Sequence, residues 1–173
     1  MGWTYRIDAL PKGISAKEWV STKGYKSLSP LTLVDDDVFD REGLAHWMGA
    51  KEEDWLDDWC LPVSKEMVER AIGVLRELQD KVAKMPFKED SEVDIWWNPK
   101  TDAYEYEGEP ENIAIVKEVR KVLCREYHFR YPWECKGDKN EDKGGVIWMI
   151  RELEKVQRFM AENPDTAVIA VYY

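Results

Sequence analysis

What this 173-residue chain has little of narrows its class first. Its three cysteines, Cys60, Cys124 and Cys135, are few and odd in number, which does not resemble the disulfide framework of a small secreted domain. No apolar run reaches the ~18 residues that suggest a membrane-crossing helix, so neither a transmembrane segment nor a membrane partner is expected. The opening residues, Met1-Gly2-Trp3-Thr4-Tyr5-Arg6, lack the basic-then-apolar layout of a signal peptide, and Arg6 stands where a myristoylation motif wants Ser or Thr. A reducing cytoplasm is the expected location. There is no phosphate-binding glycine loop, GxGxxG fingerprint, GxSxG elbow or HExxH pair, and no cofactor is expected.

What is abundant is negative charge, and it is clustered. Of a formal net charge of −10, the deficit comes from two blocks: residues 35–60 hold ten carboxylates against Arg41 and Lys51, and residues 89–112 hold nine against Lys100. The three remaining stretches are each slightly basic. Such a field repels phosphate, which argues against direct binding of nucleic acid or an anionic membrane. It favours a basic protein surface, including one that normally holds nucleic acid. Acidic surfaces also serve simply to keep proteins soluble. Here, however, aromatics are set among the carboxylates: Trp47, Trp55 and Trp59 in the first block, and Trp96, Trp97, Tyr104 and Tyr106 in the second. Trp and Tyr are the usual anchors of protein interfaces. With 44% apolar residues and nine Trp the chain can bury a real core, and about half of the indoles are expected to lie in it. Exposure is expected at Trp55, Trp59 and one of Trp96/Trp97, because neighbours on a strand point to opposite faces. The candidate partner-binding residues are Asp54, Trp55, Asp57, Asp58 and Trp59, with Trp97, Tyr104, Glu105 and Glu107.

Along the chain, Trp3, Tyr5 and Ile7 alternate with polar residues as in a half-buried strand. Ser15 is placed to cap a short helix from Ala16 to Thr22 that stops at Gly24. Leu31-Thr32-Leu33-Val34 reads as a strand broken by Asp35-Asp36-Asp37, with Asp36 or Asp37 capping a helix that reaches Gly49. A second acidic helix, Glu52 to Cys60, would put Trp55 and Trp59 on one face, with Leu61-Pro62-Val63 as its breaker. Ser64 opens the clearest helix, striped by Val68, Ala71/Ile72, Leu75, Leu78 and Val82, in which Gly73 suggests close packing. Residues 93–97 and 103–106 form a hairpin in which Tyr104 and Tyr106 share one face and Glu105 and Glu107 the other. A helix striped by Val116, Val119, Leu123 and Tyr127 follows, then a loop over 128–145, a helix from Val146 to Glu162, and a strand from Thr166 to Tyr173. The terminal strands are candidates for one sheet. The pattern is α+β: a single domain over residues 1–173, with an antiparallel or mixed sheet of about four to five strands, three main helices and short acidic ones.

Several residues invite chemistry. Cys124, His128 and Cys135, with His46 and Cys60 available from the first block, supply enough Cys and His for a zinc site. No C-x-x-C pair occurs, and ordinary packing of a helical thiol is the simpler account of Cys124. A Cys135–His128 nucleophile pair has Arg130 and Lys136 nearby but no glycine-rich oxyanion loop. An EF-hand loop starting at Asp35 would need Gly where Asp40 stands and Glu where His46 stands. With 35 acids, any carboxylate pair picked for glycosidase chemistry is uninformative.

Gly43-Leu44-Ala45-His46-Trp47-Met48, followed by an acidic spacer, Asp57-Asp58-Trp59-Cys60-Leu61-Pro62-Val63-Ser64 and a long helix, resembles small uncharacterised proteins of tailed bacteriophages. The resemblance covers residues 41–82 and, more loosely, 145–173. It departs at Ile95-Trp96-Trp97, where that family suggests a Phe-Gly pattern. The resemblance implies a phage or prophage origin and supplies no activity. The expected function is a non-enzymatic, acidic protein-binding module, an inhibitor that imitates nucleic acid towards a basic host or defence protein. The alternatives are a small enzyme or zinc protein built on Cys124, His128 and Cys135, and an immunity protein that neutralises a basic toxin.

Overall fold

Strands from the two ends of the chain lie side by side in the middle of its main sheet. The computed structural model describes residues 4–22, 30–88, 91–123 and 145–172. Its elements run β1 (Thr4–Ala9), α1 (Ala16–Ser21), β2 (Leu31–Asp40), α2 (Arg41–Trp47), a 3-10 turn (Glu52–Asp54), β3 (Cys60–Val63), α3 (Lys65–Ala83), β4 (Asp94–Asn98), β5 (Ala103–Glu107), α4 (Pro110–Leu123), α5 (Gly145–Glu162) and β6 (Val168–Tyr172). The fold class is α+β. Among the described residues, the strands form a four-stranded sheet, ordered β2-β1-β6-β3, and a separate β4-β5 hairpin. All pairings are antiparallel. The chain divides into two compact units, Met1–Val74 with Ile150–Tyr173, and Leu75–Met149.

In the first unit the sheet is covered on both faces, which is why β6 reads Val-Ile-Ala-Val without alternation. On one face Ile7 pairs with Ala170, Ala9 with Val168 and Tyr5 with Phe39. The Trp47 ring of α2 meets Phe39 edge-on there, at 6.0 Å and 74°. On the other face Cys60, Ile169 and Val171 form a cluster with Leu10 and Trp19. Trp19 is held by α1, whose start is a capping box: the Glu18 N–H donates to Ser15 Oγ (3.1 Å) and the Ser15 N–H to Glu18 Oε2 (2.9 Å).

The polar side of β1 therefore faces protein rather than water. Asp8 is fully buried there, and Arg6 Nε donates to both of its oxygens, at 2.8 and 2.9 Å. A carboxylate is tolerable at such a site only with a charged, hydrogen-bonded partner.

Three sequence expectations are corrected in this unit. The helix placed after Asp36 or Asp37 does not start there, because β2 continues to Asp40 and α2 begins at Arg41. The ladder between β1 and β2 slips from Tyr5↔Phe39 to Ile7↔Val34, so residues 35–38 bulge out of the pairing instead of ending it. The expected helix from Glu52 to Cys60 is only the 3-10 turn. Asp57 Oδ1 accepts the Trp59 N–H (2.8 Å) and Cys60 C=O accepts the Leu56 N–H (3.0 Å), bonds that compete with a helical ladder. Leu61-Pro62-Val63 is the body of edge strand β3, where a proline is tolerated. Helix α2 does end at Gly49 as expected: at φ +68° it donates to His46 C=O, while the Ala50 N–H donates to Ala45 C=O, both at 3.0 Å.

In the second unit Leu75, Leu78 and Val82 of α3 and Val116 and Val119 of α4 are buried, as the stripes predict, and Ile115 is buried beside them in sequence. Lys81 and Lys121 donate to Glu118 at 2.7 and 3.0 Å, and hydrogen bonding to Lys81 and then Lys121 holds the Glu118 carboxyl below its ordinary range. At the entrance to the hairpin the buried Asn112 acts as one rung of a ladder. Its Oδ1 accepts the Lys88 N–H (2.8 Å) and its Nδ2 donates to the carbonyls of Lys88 (3.0 Å) and Ser91 (3.2 Å). Gly108, at φ +150°, lets β5 leave the hairpin close to β4, since a Cβ there would lie 3.2 Å from Glu92 O.

Gly73 is exposed and a Cβ on it would meet nothing within 4 Å, so the close packing expected at this position is absent. Replacing it, Gly73→Ala, is expected to stabilise the protein by about 0.5–1 kcal/mol, read as a higher urea midpoint at unchanged slope. Arg6→Leu is expected to cost about 3 kcal/mol by stranding the Asp8 charge. The double variant Arg6→Leu/Asp8→Val should lose less than Arg6→Leu alone in the same measurement.

Candidate protein-binding surfaces

The first acidic block is continuous in sequence but divided in space. Its Asp35 end lies on β2 and its Asp58 end leads into β3, and these strands are opposite edges of the sheet. Three strand spacings separate them, about 14 Å. Trp47 is buried beneath the sheet, with 1% of its surface exposed. Trp55 turns back to lie 5.9 Å from the Tyr5 ring at 39° and is half-buried, whereas Trp59 keeps 49% of its surface exposed. Glu52, Trp55, Asp57 and Asp58 line an open cleft of about 440 Å³. Asp54 belongs to the same turn, its Oδ2 accepting the Lys51 N–H at 2.7 Å. Among the described residues none of Glu52, Glu53, Asp54, Asp57 and Asp58 is ion-paired.

The second block is the hairpin, where register decides which side chains share a face. Trp97 pairs with Tyr104 and Ile95 with Tyr106, while Trp96 pairs with Glu105 and Asp94 with Glu107. Directly paired residues point the same way. One face therefore holds Ile95, Trp97, Tyr104 and Tyr106, and the other holds Asp94, Trp96, Glu105 and Glu107. The aromatic face is partly covered by α4. The Arg120 guanidinium lies 4.4 Å from the Tyr104 ring centre and 5.6 Å from that of Tyr106, and donates to the Tyr106 hydroxyl at 3.0 Å. Lys117 Nζ lies 5.0 Å from the Tyr106 ring. Trp97 meets Tyr104 edge-on at 5.0 Å. On the acidic face Glu105 accepts from Asn98 Nδ2 at 2.7 Å, and Asp94 and Glu107 form no ion pair among the described residues. Trp96 and Trp97 are 41% and 48% exposed, so both neighbouring indoles reach water where only one was expected to.

No protein-family model matches the chain, and neither does any curated protein or solved structure. The geometry alone therefore defines what these surfaces can do.

Of the residues singled out from sequence, the structure gathers Asp54, Trp55, Asp57, Asp58 and Trp59 into one turn. It separates Trp97 and Tyr104 from Glu105 and Glu107, which lie on the opposite hairpin face. Sequence reasoning passed over Trp96 and Asp94 as members of the acidic face, and over Lys117 and Arg120 as cover for the other. Period-two counting across both strands of the hairpin contains the first signal, and the i, i+3 spacing of Lys117 and Arg120 contains the second.

The candidate metal and nucleophile residues Cys124, His128 and Cys135 lie outside the described residues. Among those described, no group of three or more His, Cys, Asp or Glu side chains is placed to hold a metal ion. His46 is exposed in the last turn of α2. Cys60 is sealed in the Trp19 cluster, and burial, with the Asp57 charge adding to it, pushes its thiol up to about 12. Folded protein therefore keeps the thiol proton at pH values where the unfolded chain loses it. This contribution to stability is intact below the ordinary value of 9.0 and is lost as pH rises from there towards about 12. Alkylation at pH 8 followed by peptide mapping should leave Cys60 unmodified in native protein and label it in urea.

Proposed function

We propose that the chain is a non-enzymatic, acidic protein-binding module, encoded by a phage or prophage, that inhibits a basic nucleic-acid-binding protein of the bacterial host or its defences. The observation that supports this reading is the exposure of Trp59 and Trp96 beside carboxylates that have no cation paired to them among the described residues. A groove built for a phosphate backbone is lined with Lys and Arg and stacks bases on flat side chains. Carboxylates set near indoles offer such a groove the same two features, charge and a planar ring. The likeness of Gly43–Met48 and Asp57–Ser64 to small tailed-phage proteins supports the proposed origin, and action in the bacterial cytoplasm follows from it.

Immobilised protein is expected to capture a basic protein from a bacterial lysate and release it as salt rises. Capture unchanged above about 1 M salt would count against an electrostatic mode. The reversal Asp54→Lys/Asp57→Lys/Asp58→Lys is expected to abolish capture, and an unaltered yield from that variant would remove the 52–59 turn from the interface.

A further inference from the structure

We infer that the Trp96 face of the β4–β5 hairpin is a docking surface for arginine side chains of a basic protein segment. This rests on the proposed binding role and assigns it a place and a preferred residue.

The hairpin already shows what its rings accept. On the covered face an arginine lies over Tyr104 and donates to Tyr106, with a lysine over the Tyr106 ring. The opposite face presents an equally flat and larger ring, Trp96, 41% exposed, and no cation among the described residues covers it. Around that ring stand Glu105, directly across, and Asp94 and Glu107, the next pair on the same face, two rungs along the ladder. Carboxylates paired directly across a ladder, as Asp94 and Glu107 are, repel one another, and an arriving positive charge relieves that repulsion. The diagonal neighbours of a cross-strand site lie about 7–8 Å away, so a guanidinium stacked on Trp96 has carboxylates within reach of its donors. Arginine suits this site better than lysine: its planar cation stacks on an indole while its N–H fork engages a carboxylate, and an ammonium does neither as well. Three carboxylates around the ring exclude nucleic acid from the same face.

The test titrates the full chain with two synthetic peptides of equal length and charge, one bearing only arginine and the other only lysine, using calorimetry at near-physiological salt. The arginine peptide is expected to bind about five-fold more tightly. Trp96→Leu should erase that preference while Trp97→Leu keeps it, with circular dichroism confirming that both variants are folded. Glu105→Gln/Glu107→Gln should weaken both peptides. Equal affinity of the two peptides overturns the inference, as does a preference that survives Trp96→Leu. Self-association that disappears in Trp96→Leu also overturns it, since a second copy would then be the occupant. If Trp96→Leu leaves lysate capture intact while the triple Asp54/Asp57/Asp58 reversal abolishes it, the hairpin assignment falls and the general binding role stands. Loss of capture in neither variant removes both.

Discussion

Everything in the first unit depends on the antiparallel pairing of β1 with β6, the two strands farthest apart in sequence. Together they form the middle of the sheet, so β2 and β3 become its edges, and whatever follows or precedes those strands is placed at a rim. That pairing buries both sides of β1, which is possible because Arg6 neutralises the one carboxylate thereby enclosed, Asp8. The pair belongs to a single strand, two residues apart, so folding β1 into the sheet brings its charge compensation along with it.

The same topology explains why acidity read along the sequence does not translate into one patch. Residues 35–60 leave the sheet at β2, cross one face through α2 and return at β3. Their charge is therefore divided between opposite rims. Within this block the 52–59 turn gathers carboxylates and indoles together, held in shape by the Lys51 and Trp59 N–H groups, which donate to Asp54 and Asp57.

The sequence made legible those elements whose pattern answers to one neighbour. The stripes of α3 and α4, the Ser15 cap, the Gly49 stop and the hairpin all follow from local periodicity or turn chemistry. Burial of Asp8 was not legible, because alternation in β1 is identical whether its polar side meets water or a helix. Continuation of β2 past Val34 was hidden too: three aspartates signal a break, yet a register shift lets the ladder skip residues 35–38 and resume pairing at Phe39. The composition of each hairpin face required the cross-strand register, which period-two counting on one strand alone does not supply. At Gly73 the residue type suggested a crowded contact, while the helix simply turns that position to solvent.

The two rims of the main sheet have a further consequence. A flat outer strand is a template onto which a neighbouring molecule can add its own backbone, the first step towards fibrils. Here one rim is interrupted by the register shift at residues 35–38, where Asp35 is exposed. The other ends in a strand of four residues with Pro62 among them, a residue that has no N–H to donate. Neither rim offers a long uninterrupted row of backbone donors and acceptors. The sheet is thereby protected against growing by strand addition at high concentration.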